Sequence, residues 1–234
     1  MRLDKAISKF YNVSRSQSRK LILKGSVKIN EKNIRDISFE VYPKDFISVN
    51  QKKIEYFDYI YIILNKPAGY ICSRNRNEGK IIFDLINTNF SNELSTCGRL
   101  DKDTEGLLIL SNDGDFIHNI ISPKKDIDKE YFVKLKYRID SDINNLAQGV
   151  FISDDEFVTA KRIDILDEFS LKITISEGKY HQVKRMFKNV NNEVLYLKRI
   201  RIGYYDLPAS LKLGEWIKYD REQIYQKILK IDAP

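Results

Sequence analysis

The segment Gly98-Arg99-Leu100-Asp101-Lys102-Asp103-Thr104-Glu105-Gly106-Leu107-Leu108-Ile109-Leu110 sets how the rest of the chain is read. A glycine-bounded polar loop runs straight into an apolar strand, which places an aspartate at the mouth of a buried sheet. Lone loop aspartates are ordinarily solvated. One held beside a cation stays ionised and becomes a candidate nucleophile, which makes Asp101 the first residue to follow. Arg99 lies two positions earlier.

At 234 residues the chain has room for one large domain, or a small one and a medium one. Hydrophobic residues at 42% and charged residues at 31% fit a folded chain and not a disordered one. The longest apolar run, Tyr59 to Leu64, is far too short to span a bilayer, so no membrane association is expected. Early charges at Arg2, Asp4 and Lys5 without a long apolar stretch argue against a secretory signal. Cys72 and Cys97 form no CxxC pair, which suits a reducing, cytoplasmic setting. His118 and His181 lie far apart and belong to no HExxH or Cys/His cluster, so no metal is expected. No long heptad pattern is present, and a monomer is expected.

The distribution of charge says more than its sum of +7. Residues 1–55 carry 13 Lys/Arg against 6 Asp/Glu, whereas the remaining residues carry 27 of each. The whole excess therefore lies in the first quarter. It is either a solvated basic surface or a polyanion-binding module attached to a neutral working domain, and the second is favoured. Leu3, Ile7 and Phe10 share one helical face. Ser14 is a good N-cap for a second helix reaching Lys24, which Gly25 ends. Short strands are predicted at Val27–Ile29, Phe39–Val41 and Ile47–Val49, the last after a turn at Pro43-Lys44-Asp45. Arg2, Lys5, Arg15, Arg19, Lys20, Lys24 and Lys28 are the candidate phosphate contacts of this unit. The stretch resembles the small RNA-binding domain named after ribosomal protein S4. The resemblance rests on Arg2-Leu3-Asp4-Lys5, Ser14-Arg15 and Gly25-Ser26-Val27-Lys28-Ile29-Asn30.

A polar connector near Gln51 to Asp58 divides the chain into domains of residues 1–56 and 57–234. Beyond it, strands are predicted at Tyr59–Leu64, Gly106–Leu110, Glu130–Tyr137, Phe157–Ile165, Ser170–Ser176 and Glu193–Ile202, with a turn through Asn65–Tyr70. Helices are predicted at Asp115–Ile121, Asp142–Ala147, Tyr180–Asn189 and Arg221–Ile231. Strands outnumber helices without regular alternation, which favours an α+β domain on a mixed, mainly antiparallel sheet flanked by helices.

Two further segments carry polar chemistry. Tyr131 sits in the alternating strand Lys129-Glu130-Tyr131-Phe132-Val133, either as a core aromatic or with its hydroxyl in a site. In Glu177-Gly178-Lys179-Tyr180-His181-Gln182-Val183-Lys184-Arg185-Met186-Phe187 a strand gives way to a helix whose start is crowded with Lys179, His181, Lys184 and Arg185. These form either a solvated face or an anion site at a helix N-terminus.

Taken together, these residues resemble the pseudouridine synthases of the RsuA type over essentially the whole chain. The matching positions are Asn65-Lys66-Pro67, Gly98-Arg99-Leu100-Asp101, Thr104, Gly106-Leu107-Leu108, Asn112-Asp113-Gly114, Lys129 with Tyr131, and Glu177 through Met186. Gly178-Lys179-Tyr180-His181-Gln182-Val183-Lys184-Arg185-Met186-Phe187 is closest to the member that modifies small-subunit (16S) ribosomal RNA, the expected uridine being at position 516. Large-subunit relatives typically carry an Asn-Arg-Gln or Asn-Arg-Glu type sequence where this chain has Tyr180-His181-Gln182. The resemblance implies an isomerase needing no cofactor, with Asp101 as the catalytic carboxylate. It acts either by attacking the sugar or base or by taking a ribose proton. It implies that Tyr131 stacks on the flipped base and that Lys184 pairs with the carboxylate, a place held by arginine in most sister groups. Leu197 either walls the uracil pocket or packs in the core, and Arg99 either pairs with Asp101 or binds the RNA backbone. Lys179, His181, Gln182 and Arg185 are further candidate substrate contacts. Lys198, Arg199, Arg201 and the N-terminal unit are expected to supply cationic contacts that offset base unstacking. The implied partner is small-subunit ribosomal RNA, free or in an assembling ribonucleoprotein particle. The alternatives are a large-subunit (23S) site and a noncatalytic ribosome-assembly factor that keeps the fold.

Overall fold

The computed structural model describes residues 1–42, 45–54, 59–88 and 90–234. The chain forms two compact units, Met1–Tyr59 with Thr88–Asn92, and Ile60–Asn87 with Glu93–Pro234. The turn expected across Pro43 and Lys44, and the domain boundary expected between residues 56 and 57, lie outside the described residues.

In the N-terminal unit, helix α1 (Leu3–Phe10) buries Leu3, Ala6, Ile7 and Phe10 on its apolar face. Ser14 caps α2 (Arg15–Leu23) through a reciprocal box with Gln17, satisfying two helix-start donors at once. Gly25, with φ of +75°, ends the helix as expected. Strands β1 (Val27–Ile29), β2 (Lys32–Asn33), β3 (Ile47–Val49) and β4 (Lys52–Ile54) form an antiparallel sheet in the order β2-β1-β3-β4. Two hairpins were not expected. Asn30-Glu31 and Asn50-Gln51 each take positive φ at both turn positions, the requirement of a tight two-residue hairpin, so β4 begins inside the expected connector. The strand expected at Phe39–Val41 is absent. Only an isolated bridge joins Glu40 to Arg2. The backbone there is already committed to the chain start, through Leu3 N to Phe39 O and Val41 N to Met1 O, both 2.8 Å.

The second unit is built on a nine-stranded mixed sheet. Its main strands are β5 (Tyr61–Lys66), β6 (Glu105–Ser111), β7 (Lys129–Leu135), β8 (Arg162–Ile165), β9 (Ser170–Ile175), β10 (Val194–Ile202) and β11 (Trp216–Tyr219). They run in the order β8-β9-β7-β10-β6-β5-β11, with short strands Ser95–Thr96 and Tyr205–Asp206 pairing β6 and β10. Within the sheet β10 and β6 are parallel and the other pairs antiparallel. Helices α3 (Gly114–Ile121) and α5 (Arg221–Leu229) cover the sheet through Phe116, Ile120, Ile224, Tyr225 and Ile228, which pack with Tyr61, Ile63, Leu107 and Ile109. Helix α4 (Gln182–Asn189) buries Val183, Met186 and Phe187.

Several boundaries differ from expectation for local reasons. Tyr59 is exposed and β5 instead reaches Lys66, because Asn65 and Lys66 still pair with Leu107 and Gly106; the turn is confined to residues after Lys66. The single strand expected over Phe157–Ile165 is split into Phe157–Val158 and β8, where the Ala160 amide bonds Leu146 O instead of a strand neighbour. The helix expected at Asp142–Ala147 is a 3₁₀ turn, Ser141–Asn144, followed by a short α-helix, Asn145–Gln148. Edge strand β11, half-buried at all four residues, has no alternation to announce it.

Candidate active site

Strands β7 and β10 lie side by side, with Tyr131 opposite Arg199 and Val133 opposite Leu197. Residues two apart on a strand share a face, so Leu197 and Arg199 both face the same cavity as Tyr131. The neighbouring pair is parallel and close. Gly106 stands opposite Arg199 with φ of +104°, and a Cβ there would lie 2.2 Å from Arg199 O. Glycine is therefore required for β6 to approach β10 and deliver the Asp101 loop to the cavity mouth.

That loop is pinned from below. Lys66 is fully buried, and its ammonium donates to the carbonyls of Pro67 (3.1 Å), Asp101 (3.0 Å), Lys102 (3.4 Å) and Thr104 (2.8 Å). Burial holds its pKa below the ordinary lysine value, against the pull of nearby anionic groups. The Thr104 amide donates back to Asp101 O at 3.2 Å, and the Gly69 amide to Lys102 O at 2.7 Å. The carboxylate of Asp101 is thus carried on a fixed backbone.

Two basic side chains flank it. Lys184 Nζ is 3.4 Å from Asp101 Oδ2, and His181 Nε2 is 3.5 Å from Oδ1. Arg99, two residues before Asp101, is exposed on the cavity rim. Lys184 is shared, for its shortest bond is 2.6 Å to Asp103 Oδ1. Burial alone would raise the Asp103 pKa, but the Lys184 hydrogen bond and charge, with smaller local contributions, together outweigh it and hold that carboxyl below its ordinary value. His181 reaches Asp101 because its backbone is left-handed, φ 48°, which starts α4 at Gln182 and not at Tyr180 as expected.

The cavity is lined by Asp101, Tyr131, Leu197, Arg199, Thr104 and Lys129, with Arg99, Lys179, His181 and Gln182 among its other walls. Tyr131 is 7% exposed and Leu197 6%, so both wall the cavity and pack in the core. Gln182 is buried, its side-chain carbonyl accepting from Lys179 N at 2.8 Å, which ties the loop entering α4. Lys129 donates to Ile127 O and Ser176 O, and burial, reinforced by the Arg199 charge, brings its pKa down to about 8.

Three expected contacts are placed elsewhere. Arg185 donates to Glu156 and to the carbonyls of Tyr180 and Ile152, away from the cavity lining. Arg201 is bonded to Glu130 and Gly203 O. Arg199 is only 1% exposed and is no surface cation. Its Nε donates to Leu107 O at 2.7 Å, its Nη1 lies 3.5 Å from the Tyr131 hydroxyl, and its buried Nη2 has no hydrogen-bond partner among the described residues. Lys66, Asp103 and Arg199 carry parts of the site that the sequence alone did not assign. Asp103 lies two residues from Asp101 and Lys66 within the matching Asn65-Lys66-Pro67, but neither position announces its partners.

In the N-terminal unit, Arg2, Lys5, Arg15, Arg19, Lys20, Lys24 and Lys28 are all exposed. Arg2 and Arg19 also hold the buried Asp4, each at 3.2 Å. Burial pushes the Asp4 carboxyl up, but the two arginines outweigh it and hold its pKa below the usual range.

A carboxylate with Lys184 and His181 beside it, at the mouth of a cavity with an aromatic wall on an α+β sheet, defines the class: an enzyme with a polar cavity on a mixed sheet. Residues 60–189 match the family described as RNA pseudouridylate synthase, and residues 1–47 match the S4 domain. An uncharacterised RNA pseudouridine synthase of Bacillus subtilis is 36% identical over 96% of this chain and 97% of its own. The ribosomal small subunit pseudouridine synthase A of Haemophilus influenzae is 35% identical over 98% and 100%. A crystal structure of a pseudouridylate synthase, 34% identical, superposes with a TM-score of 0.69 over 98% of this chain and 100% of that one. The chain belongs to the pseudouridine synthases, isomerases acting on RNA, and within them to the RsuA type. Among the described residues no helix is long and apolar enough to cross a membrane.

Proposed function

We propose that this protein converts one uridine of small-subunit (16S) ribosomal RNA to pseudouridine, with Asp101 as the catalytic carboxylate. The observation that carries the substrate is the full-length similarity, 33–36% identity, to proteins named ribosomal small subunit pseudouridine synthase A. The reaction breaks the N-glycosidic bond, turns the freed uracil, and rejoins it to the ribose through carbon. Atoms and electrons balance without a co-reactant. Asp101 either bonds to the nucleoside or takes a ribose proton, and both routes need it ionised. Lys184 stands 3.4 Å from that carboxylate and His181 3.5 Å from it. The target base must leave its stack, at a cost of a few kcal/mol, to reach the cavity. There Tyr131 offers a stacking face and Leu197 an apolar wall, while Arg99 and Lys179 stand at the entrance for phosphate. The S4 unit of residues 1–56 grips the same RNA, free or in an assembling ribonucleoprotein particle, and the protein acts as a monomer.

Asp101→Asn should abolish pseudouridine formation while RNA affinity and the urea unfolding midpoint stay at wild-type values. Joint loss of affinity and folding would remove the catalytic role. Carbodiimide mapping of ribosomal RNA from cells lacking the gene should lose one small-subunit pseudouridine. Loss of a large-subunit signal instead would transfer the assignment to that RNA.

A further inference from the structure

A second cavity adjoins the first. The two share Arg99, Asp101, Lys179 and His181, but the second adds Cys72, Lys102 and Tyr180 and does not reach Tyr131 or Leu197. Its most telling residue is Tyr180, which is 69% exposed. One face of that ring lies on the His181 imidazole, with centroids 3.9 Å apart and planes 19° from parallel. Most of the side chain is open to solvent. The ring is therefore held flat beside a cleft without being buried, which is the arrangement of a stacking platform and not of a core aromatic.

The charges around it suit a nucleotide. Arg99, Lys102 and Lys179 line the same cavity. Two carboxylates oppose them: Glu78 is exposed and accepts a hydrogen bond from Asn75 Nδ2 at 2.7 Å, and Asp101 lies against Lys184 at 3.4 Å. Proteins that read unpaired RNA stack its bases on aromatic rings and hold its phosphates with cations. The first cavity, walled by Tyr131, Leu197 and Arg199, takes the target base. A polymer that places one nucleotide there must pass its neighbour over the rim that the two cavities share.

We infer that the second cavity binds the nucleotide adjacent to the target uridine, its base stacked on Tyr180 and its phosphate held by Arg99, Lys102 and Lys179. The inference rests on the pseudouridine synthase function proposed for the first cavity. It makes Tyr180 a residue that reads the single-stranded character of the flanking position, since a base paired in a helix cannot lie on the ring.

The test uses the full-length protein and small-subunit ribosomal RNA carrying either a normal or an abasic residue on one side or the other of the target uridine. Tyr180→Ala should raise KM about tenfold, the scale of one lost base–aromatic stack, with kcat within about twofold. Tyr180→Phe should keep the wild-type KM. On one side of the target, an abasic neighbour should raise the wild-type KM to a similar extent and leave that of Tyr180→Ala unchanged. The inference fails if Tyr180→Ala has a wild-type KM, or if its loss adds in full to that of the abasic residue on both sides. A wild-type protein inactive on every ribosomal RNA would instead remove the proposed function, and this subsite with it, before any variant is compared.

Discussion

Lys184 is asked to serve two carboxylates. It lies 2.6 Å from Asp103 and 3.4 Å from Asp101, and a lysine ammonium, being a compact point charge, can sit between both without a fixed fork. Asp103 is largely exposed, so water can replace Lys184 there at little cost. Asp101 is mostly enclosed by the cavity and has less water to fall back on. The weight of Lys184 should therefore fall on Asp101 despite the longer distance. Lys184→Met is expected to lower kcat by about tenfold or more through loss of the charge beside the carboxylate, while Lys184→Arg stays within about threefold. Asp103→Asn should also remain within about threefold, because it removes a competitor and not a support. Single-turnover rates on the same RNA check all three. A strong defect in Asp103→Asn with little in Lys184→Met would reverse the assignment.

Elements matter here chiefly where they touch. The parallel contact of β6 and β10 depends on Gly106. An alanine there must push backbone against backbone, Cβ to Arg199 O at 2.2 Å, in a left-handed conformation that alanine disfavours. Gly106→Ala should lose about 3 kcal/mol of stability or more and nearly all activity, both visible as a lower urea midpoint and a lost turnover. At the end of β7, Lys129 gives a pH signature. Its pKa of about 8 in the folded chain lies below the ordinary 10.5, so between these values the unfolded chain binds more protons. Stability from this group therefore rises with pH from about 8 to 10.5, by up to about 3 kcal/mol. Cys72, Cys97 and Tyr61, whose pKa values burial pushes up, act in the opposite sense above about pH 9. The difference between wild type and Lys129→Met across pH 7 to 10 isolates the lysine. A difference that does not change with pH would mean that the buried ammonium keeps its ordinary affinity for a proton.

The same elements show what a sequence can and cannot carry. Ser14 with Gln17, Gly25, and the apolar strands β5 and β6 were legible because their signals are local: a cap, a left-handed stop, a buried run. The hairpins at Asn30-Glu31 and Asn50-Gln51 were missed because neither has glycine at its second position, the usual mark of such turns. Arg199 was misread as a surface cation, since its alternation with Lys198 and Arg201 looks the same whether β10 is an edge or an interior strand. Only the pairing of β10 with both β7 and β6 buries it. Asp101 and Tyr131 could be picked out from the chain, but the fourfold hold of Lys66 on the Asp101 loop needs the turn of the backbone to exist.

At the scale of the whole molecule, the formal charge excess lies in residues 1–55 and the cavity in the second unit, so capture and chemistry should separate experimentally. Helix α2 is the place to test this. Arg15, Lys20 and Lys24 are exposed, whereas Arg19 also holds Asp4, and changing it would confuse binding with folding. Each phosphate contact adds about 0.7 to 0.9 to the slope of log affinity against log salt. Replacing Arg15, Lys20 and Lys24 together with glutamine in the full-length chain should therefore flatten that slope by about two to three. Affinity should fall most at low salt, where released counterions contribute most. The turnover of bound RNA should not change, because none of the three residues lines the cavity. Filter binding of small-subunit ribosomal RNA over a salt series, with single-turnover rates on the same samples, checks both halves. An unchanged slope would mean that α2 does not grip RNA. A slower turnover at full occupancy would mean that the N-terminal unit also helps to seat the uridine at Asp101.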